Sequence, residues 1–367
     1  IPLQNCRSQC YDNAAVMSGH LSGVQQRICT KNNKALFVNC DNHSLNLSGV
    51  HAASQDPIVV TFFGSIEKIY QFFSRSTRRW EKLKETVTIK VKRESETRWS
   101  ARAECVKSIH DGLDNIVSLL EKMSEDTTET QETRGDAVIL LQNILSFNFL
   151  VFLPFWHDIL KKIDRVQKRL QDPTMNFHEA SLDIESLHMD ITRIREDICH
   201  DSVLKAKERC ELWGVAVESR IRRRRRMPGE LARDAGLSAE EEIVRIMKSI
   251  LDRLQQEMTT RFTRLKDLNF KFGFLLDVDK LLNDKDLDSL RHHCIEFGNF
   301  YDSDVEGIEL LNEVCDCRML LETRQDTAPK TPTELLSFIV SYGEDVFSKF
   351  ACCSTNPSYH SCHDCQL

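Results

Sequence analysis

The run from Ala137 to Trp156 holds twenty residues and no charge. Such a stretch has two homes, a bilayer or a protein interior. Gln142, Asn143, Ser146, Asn148 and Pro154 interrupt it, and a spanning helix tolerates these poorly because lipid offers no hydrogen-bond partners. The run therefore reads as buried helix, and the rest of the chain must cover it. The remainder supplies helical cover. Val106, Ile109, Leu113, Ile116, Leu119 and Leu120 form one stripe at 3–4 spacing across 101–123. Ile184, Leu187, Ile191, Ile194 and Ile198 repeat the pattern, and the helix is expected to continue through Val217. Ser238 followed by Glu241 has capping-box spacing and opens a helix through Ile243, Met247, Ile250, Leu254, Met258, Phe262 and Leu265. Shorter helical runs follow near 278–293, 302–323 and 332–349. Pro154 suits a first helical position, opening a helix to about Leu170, and 124–135 reads as an acidic, Thr-rich loop.

The first seventy residues differ. Leu3–Tyr11 and Ala35–Val38 are short strand candidates, with a helix over 21–28 between them. A second helix is expected over 43–53, ended by Pro57, and an aromatic-rich amphipathic helix over 58–73. Asp12 follows the first strand candidate, and Cys40-x-x-His43 follows the second. Asp12 is a metal ligand or a solvated turn residue; Asp-Asn-Ala suits either. Cys40 and His43 are half a zinc site or structural residues, since closed zinc sites need four ligands.

The net charge of −7 over 367 residues gives no global pull toward nucleic acid; any such pull is local. Residues 74–102 hold ten Lys or Arg against four Glu, either a phosphate-contacting surface or a solvated helix face. Trp99, inside that run, either stacks on an unpaired base or fills a core, with Arg98 beside it. Arg222, Arg223, Arg224, Arg225 and Arg226 are consecutive. They cannot all be paired within one helix, so they are solvated or bound, as phosphate contacts or a nuclear import signal. The fourteen cysteines are too sparse and irregular for a disulfide scaffold and read as thiols in a reducing compartment.

Three blocks carry a family likeness. Arg7-Ser-Gln-Cys-Tyr-Asp12-Asn-Ala-Ala-Val-Met-Ser-Gly19 resembles the Arg-Gly-Gln-Gly-Tyr-Asp-Gly-Ala-x-x-Met-Ser-Gly block of hAT-superfamily transposases. It is most similar to the zinc-finger MYM-type 1-like group. Cys40-Asp-Asn-His43-Ser-Leu-Asn-Leu47 is similar to the Cys-x-x-His…Asn-Leu block, and Glu96-Thr-Arg98-Trp99-Ser to the Thr-Arg-Trp block. Thr331-Pro-Thr-Glu also resembles the family. The resemblance covers roughly residues 1–349 and implies an RNase H-like core with a large all-helical insertion. It also implies DNA cleavage and strand transfer by three acids that hold divalent metal. Asp12 falls on the second acid. The first is expected upstream of Ile1, in an N-terminally incomplete protein. The third is expected in a block that the tail from Ala351 replaces.

The reading is a mainly α chain with a small β part: a partial RNase H-like α/β core over 1–73, helical insertion over 74–219 and 238–350, a basic linker over 220–237 and a divergent Cys/His-rich tail over 351–367. The tail's Cys352, Cys353, His360, Cys362, His363 and Cys365 look like zinc ligands by composition, and Cys362-His-Asp-Cys365 has the right internal gap; yet the segment lacks a hydrophobic partner for a zinc fold and reads as out-of-frame or intron-derived sequence. The expected function is a nuclear, DNA-associated, transposase-derived protein without catalysis in this form. Mg or Mn is required only if the catalytic site is complete. Protein partners or a homo-oligomer are open, and no membrane is expected. The alternative is a helical protein-interaction scaffold with no DNA role.

Overall fold

The computed structural model of the protein describes residues 2–86, 99–172, 174–217, 237–283, 286–323, 329–343 and 345–355. Strand β1 (Ser8–Tyr11) leads through the short helices α1 (Ala15–Ser18) and α2 (Val24–Lys31) to β2 (Leu36–Asn39). Next come α3 (Asp41–Ala53), α4 (Pro57–Ser74), α5 (Thr77–Thr86), α6 (Trp99–Glu125), α7 (Gln131–Ile144), α8 (Phe147–Arg169) and α9 (Phe177–Trp213). The C-terminal part holds α10 (Ala239–Arg261), α11 (Thr263–Phe272), α12 (Val278–Asn283), α13 (Leu287–Phe300), α14 (Gly307–Glu322), α15 (Pro332–Tyr342) and α16 (Ser348–Thr355). The chain is mainly helical with one small parallel sheet, as expected at that level.

Several helix starts follow directly from residue chemistry. Asp56 accepts a hydrogen bond from the Ile58 amide at 2.8 Å while Pro57, which has no amide to satisfy, takes the first position of α4. The Ser238 amide donates to Glu241 Oε2 at 2.7 Å, and the Glu241 amide donates to Ser238 Oγ at 3.2 Å, closing the expected capping box before α10. Thr331 Oγ accepts from the Glu334 amide at 3.2 Å and starts α15.

Contacts divide the chain into two compact units, each built from separated stretches: 1–44, 168–186 and 259–367 in one, 45–167 and 187–258 in the other. The second unit is organised around α8. Val151, Phe152, Phe155 and Trp156 are fully buried, and Phe62 and Phe63 of α4 pack on Phe149, Phe152 and Trp156 at ring separations of 5.1–6.0 Å. Among the described residues, no single helix is long and apolar enough to cross a membrane. The uncharged run is broken instead: α7 and α8 meet at 70°, and Ser146 Oγ accepts from the Phe149 amide at the new start. Pro154 therefore does not open a helix. It sits buried inside α8, where the apolar packing around the helix offsets the loss of one backbone hydrogen bond. The loop expected over 124–135 is shorter, since α6 runs to Glu125 and α7 starts at Gln131.

In the first unit, β1 and β2 pair in parallel, Ser8 opposite Leu36 and Tyr11 opposite Asn39. A parallel pair needs a crossover, which α1 and α2 supply. Gln9 is buried and secures it, its side-chain amide donating to the carbonyls of Gln25 (3.2 Å) and Ala35 (3.1 Å). A two-stranded sheet is a weak folding unit on its own. Here distant residues hold it. Arg7 makes a two-pronged pair with Asp304 at 2.6 and 2.8 Å, Lys34 reaches the Phe300 carbonyl and Asp302, and the Arg264 guanidinium lies over the Phe37 ring. The Arg7 guanidinium holds the Asp304 carboxyl below its ordinary range. Asp304→Ala leaves the largely buried Arg7 unpaired. The expected loss is about 1–3 kcal/mol, read as earlier chemical denaturation together with faster amide exchange in β1.

The tail is not wholly without structure. Residues 348–355 form α16, and Phe350, Ala351 and Cys353 join a core with Phe272, Cys294, Phe297 and Tyr301. Burial pushes the Cys353 thiol well up, which makes it a poor metal ligand, because a ligating sulfur must be a thiolate. The remaining tail residues, with His360, Cys362, His363 and Cys365, lie outside the described residues.

Candidate functional site

β1 and β2 end side by side. One residue beyond the last pair, the Cys40 amide donates to the Tyr11 carbonyl at 2.8 Å. This bond brings Asp12 and Asn13, on the β1 side, to the same sheet edge as Asn39, Cys40, Asp41, Asn42 and His43. Beyond the carboxyl ends of parallel strands is where open α/β sheets place their ligands.

Asp12 stands exposed at that edge, and its Oδ1 accepts from the Ala14 amide at 3.1 Å. This is an Asx turn. Cys40 is buried and His43 half-buried on the first turn of α3. Among the described residues, neither Asp12 nor the Cys40–His43 pair belongs to a group with metal-ligand spacing.

Asp41 is the unexpected member. It opens α3 with only 8% of its surface exposed, and burial pushes its carboxyl up to about 7. The positive end of the helix dipole works the other way, by about 0.3–1 kcal/mol. The rise from 3.8 to about 7 corresponds to about 4 kcal/mol, so desolvation wins. Around this edge the side-chain oxygens of Asn13, Asn39 and Asn42 are buried without a hydrogen-bond partner, while Asn13 Nδ2 donates to Ser44 Oγ at 3.3 Å. Three buried amide oxygens at this edge thus accept nothing, and a protonated Asp41 adds an O–H donor to the edge. In sequence, Asp41 and Asn42 look like spacers of a Cys-x-x-His motif; the acidic spacer next to a strand end was the available signal.

Trp99 does not present a surface for a base. It begins α6 almost fully buried, its amide donates to Asn46 Oδ1 at 2.8 Å, and its ring lies 5.5 Å from that of Trp156. A Cβ on Gly49 would come within 2.4 Å of the indole, so glycine there makes room for it. The reading of Trp99 as a DNA-stacking residue is corrected to a core residue: an indole sealed in this way has no free face. Part of the basic run is taken up by neighbouring groups. Lys82 pairs with Glu129 at 2.6 Å and Asp126 at 3.4 Å, Arg78 lies 3.7 Å from Glu129, and the guanidinium groups of Arg79 and Arg102 cover the rings of Phe72 and Phe63. Arg98 and Arg222–Arg226 lie outside the described residues.

No protein-family model matches the chain, and no solved structure matches it.

Proposed function

We propose that this is a transposase-derived, DNA-associated protein of the nucleus that does not itself cut or join DNA in this form. The observation that carries the reading is the parallel β1–β2 pair with the Tyr11–Cys40 hydrogen bond. It sets Asp12 and Cys40-x-x-His43, the residues of the two hAT-like blocks, on one sheet edge. A remnant of an RNase H-like core requires that proximity, and residues about thirty apart in sequence reach it only through the crossover. Asp12 Oδ1 accepts from the Ala14 amide in a turn, and the resemblance implies two further acids beside it. In-line phosphoryl displacement depends on carboxylates that together hold two cations. Mg or Mn would serve only a complete set.

With Trp99 buried and Arg79, Lys82 and Arg102 engaged by neighbouring groups, we assign DNA attachment first to Arg98 and to Arg222–Arg226. Five consecutive guanidinium groups release counterions on binding phosphates, and this makes association salt-sensitive. The test is duplex binding by the whole chain across a salt series. Affinity is expected to fall steeply between 50 and 200 mM salt. Changing Arg222–Arg226 to Gln is expected to flatten the log–log slope by up to about 4. The strands stay intact in Mn²⁺. Absence of binding at the lowest salt overturns the DNA role and leaves the helical scaffold.

A further inference from the structure

Two His-Asp dipeptides lie in the second unit, His110-Asp111 on α6 and His157-Asp158 on α8. Helix packing brings them together: the imidazole rings stack with centroids 4.1 Å apart and planes 7° from parallel. His110 Nδ1 lies 3.0 Å from Asp111 Oδ1, and His157 Nδ1 lies 3.0 Å from Asp158 Oδ1. One ligand atom from each of His110, Asp111 and His157 falls within 4.8 Å of the others. The His110, Asp111 and His157 side chains are 28%, 33% and 17% exposed, so an ion in solution can reach them.

We propose that His110, Asp111 and His157 form a binding site for one divalent transition-metal ion of the zinc class, with water completing its coordination. The donor set decides the class. Two imidazoles and a carboxylate suit zinc, cobalt, nickel or copper, whereas Mg²⁺ and Ca²⁺ are held by oxygen. The spacing agrees. Two ligands held about 2.0–2.2 Å from a tetrahedral ion stand about 3.3–3.6 Å apart, so His110 Nδ1 and Asp111 Oδ1, 3.0 Å apart, need open only slightly. The ion takes the place of the proton between them. His157 then closes by at most about 1.5 Å and its ring turns out of the stack, because an imidazole donates in its own plane and the two planes start parallel. Asp158 remains on His157 Nδ1 and leaves Nε2 as the ligand, the carboxylate–histidine arrangement that orients metal-bound imidazoles. Two cations flank the site: Lys205 lies 3.6 Å from Asp158 and Arg209 lies 3.9 Å from Asp114. This site is separate from the strand edge and does not depend on the DNA reading.

The rival is a hydrogen-bonded, stacked histidine pair that binds nothing. The whole chain, stripped by a chelator and kept reduced, is titrated with Co²⁺. Cysteines elsewhere can also take cobalt, but thiolate ligands add a near-ultraviolet charge-transfer band that a His/Asp site lacks. The expected result is one cobalt equivalent with visible d–d bands and no accompanying charge transfer, displaced by Zn²⁺. The double change His110→Gln and His157→Gln removes that equivalent. Asp111→Asn, on an accessible helix face, weakens it at least tenfold and keeps the helical circular dichroism. The proposal is overturned if the unaltered chain lacks this band, or if Asp111→Asn leaves its affinity unchanged. It is overturned equally if a folded double variant keeps the band; a double variant that loses its helical signal leaves Asp111→Asn to decide.

Discussion

Trp99→Ala lowers stability by about 3–5 kcal/mol, the range for removing a fully buried large aromatic side chain. The indole fills space that its neighbours cannot reclaim. Trp156 packs against it with its ring tilted by 53°, and Gly49 backs it so closely that no side chain fits there. Its amide also satisfies Asn46 at the start of α6, and that bond survives the substitution because it is made by the backbone. Trp99→Phe costs less, since it keeps part of the ring and discards an indole N–H that is buried without a partner. Denaturant unfolding of the three proteins reads the effect. A loss under about 1 kcal/mol for the alanine variant, in the range of surface substitutions, would place the ring in solvent and restore its reading as a base-stacking residue.

Asp41→Asn acts in the opposite direction. The folded carboxyl titrates near 7 against an ordinary value of 3.8, so between those limits the folded state binds a proton that the unfolded state has released. Stability therefore falls as pH rises from about 4 to about 7, and the penalty is complete above that. Asparagine has nearly the same shape and no charge to desolvate. At pH 8 the variant is expected to be more stable by up to about 4 kcal/mol. At pH 4 the two are nearly equal. Unfolding measured at both values checks the sign: a wild-type chain that gains stability from pH 4 to 8 through this residue would mean that Asp41 is charged and paired in the fold.

The helices were legible where the cause is local. Ser238 and Glu241 cap α10 as their spacing requires, and Thr331 does the same for α15. The uncharged run was legible as buried, but not its kink, because Ser146 capping a new helix competes with a proline eight residues later as the start signal. The assembly of each unit from distant stretches was not legible. Arg7 and Asp304 are 297 residues apart, and neither carries a local mark of the other. His110 and His157 are hidden for the same reason, each an ordinary residue on its own amphipathic helix. Asp12 was legible as a turn residue, from Asp-Asn-Ala after the first strand. Asp41 was not, because its chemistry comes from burial, and no residue type announces its own exposure.

What remains most exposed to test is the strand edge on which the functional reading stands. Nuclear Overhauser contacts in the isotope-labelled whole chain address it directly. The expected result is a contact between the Cys10 α-proton and the Val38 amide proton, with the staggered α-proton-to-amide pattern of a parallel pair along Ser8–Tyr11 and Leu36–Asn39, and slow exchange of the Cys40 amide that donates to the Tyr11 carbonyl. Facing α-protons of an antiparallel pair, or no contact between these segments, would part Asp12 from Cys40 and His43 and remove the basis for a transposase-type edge.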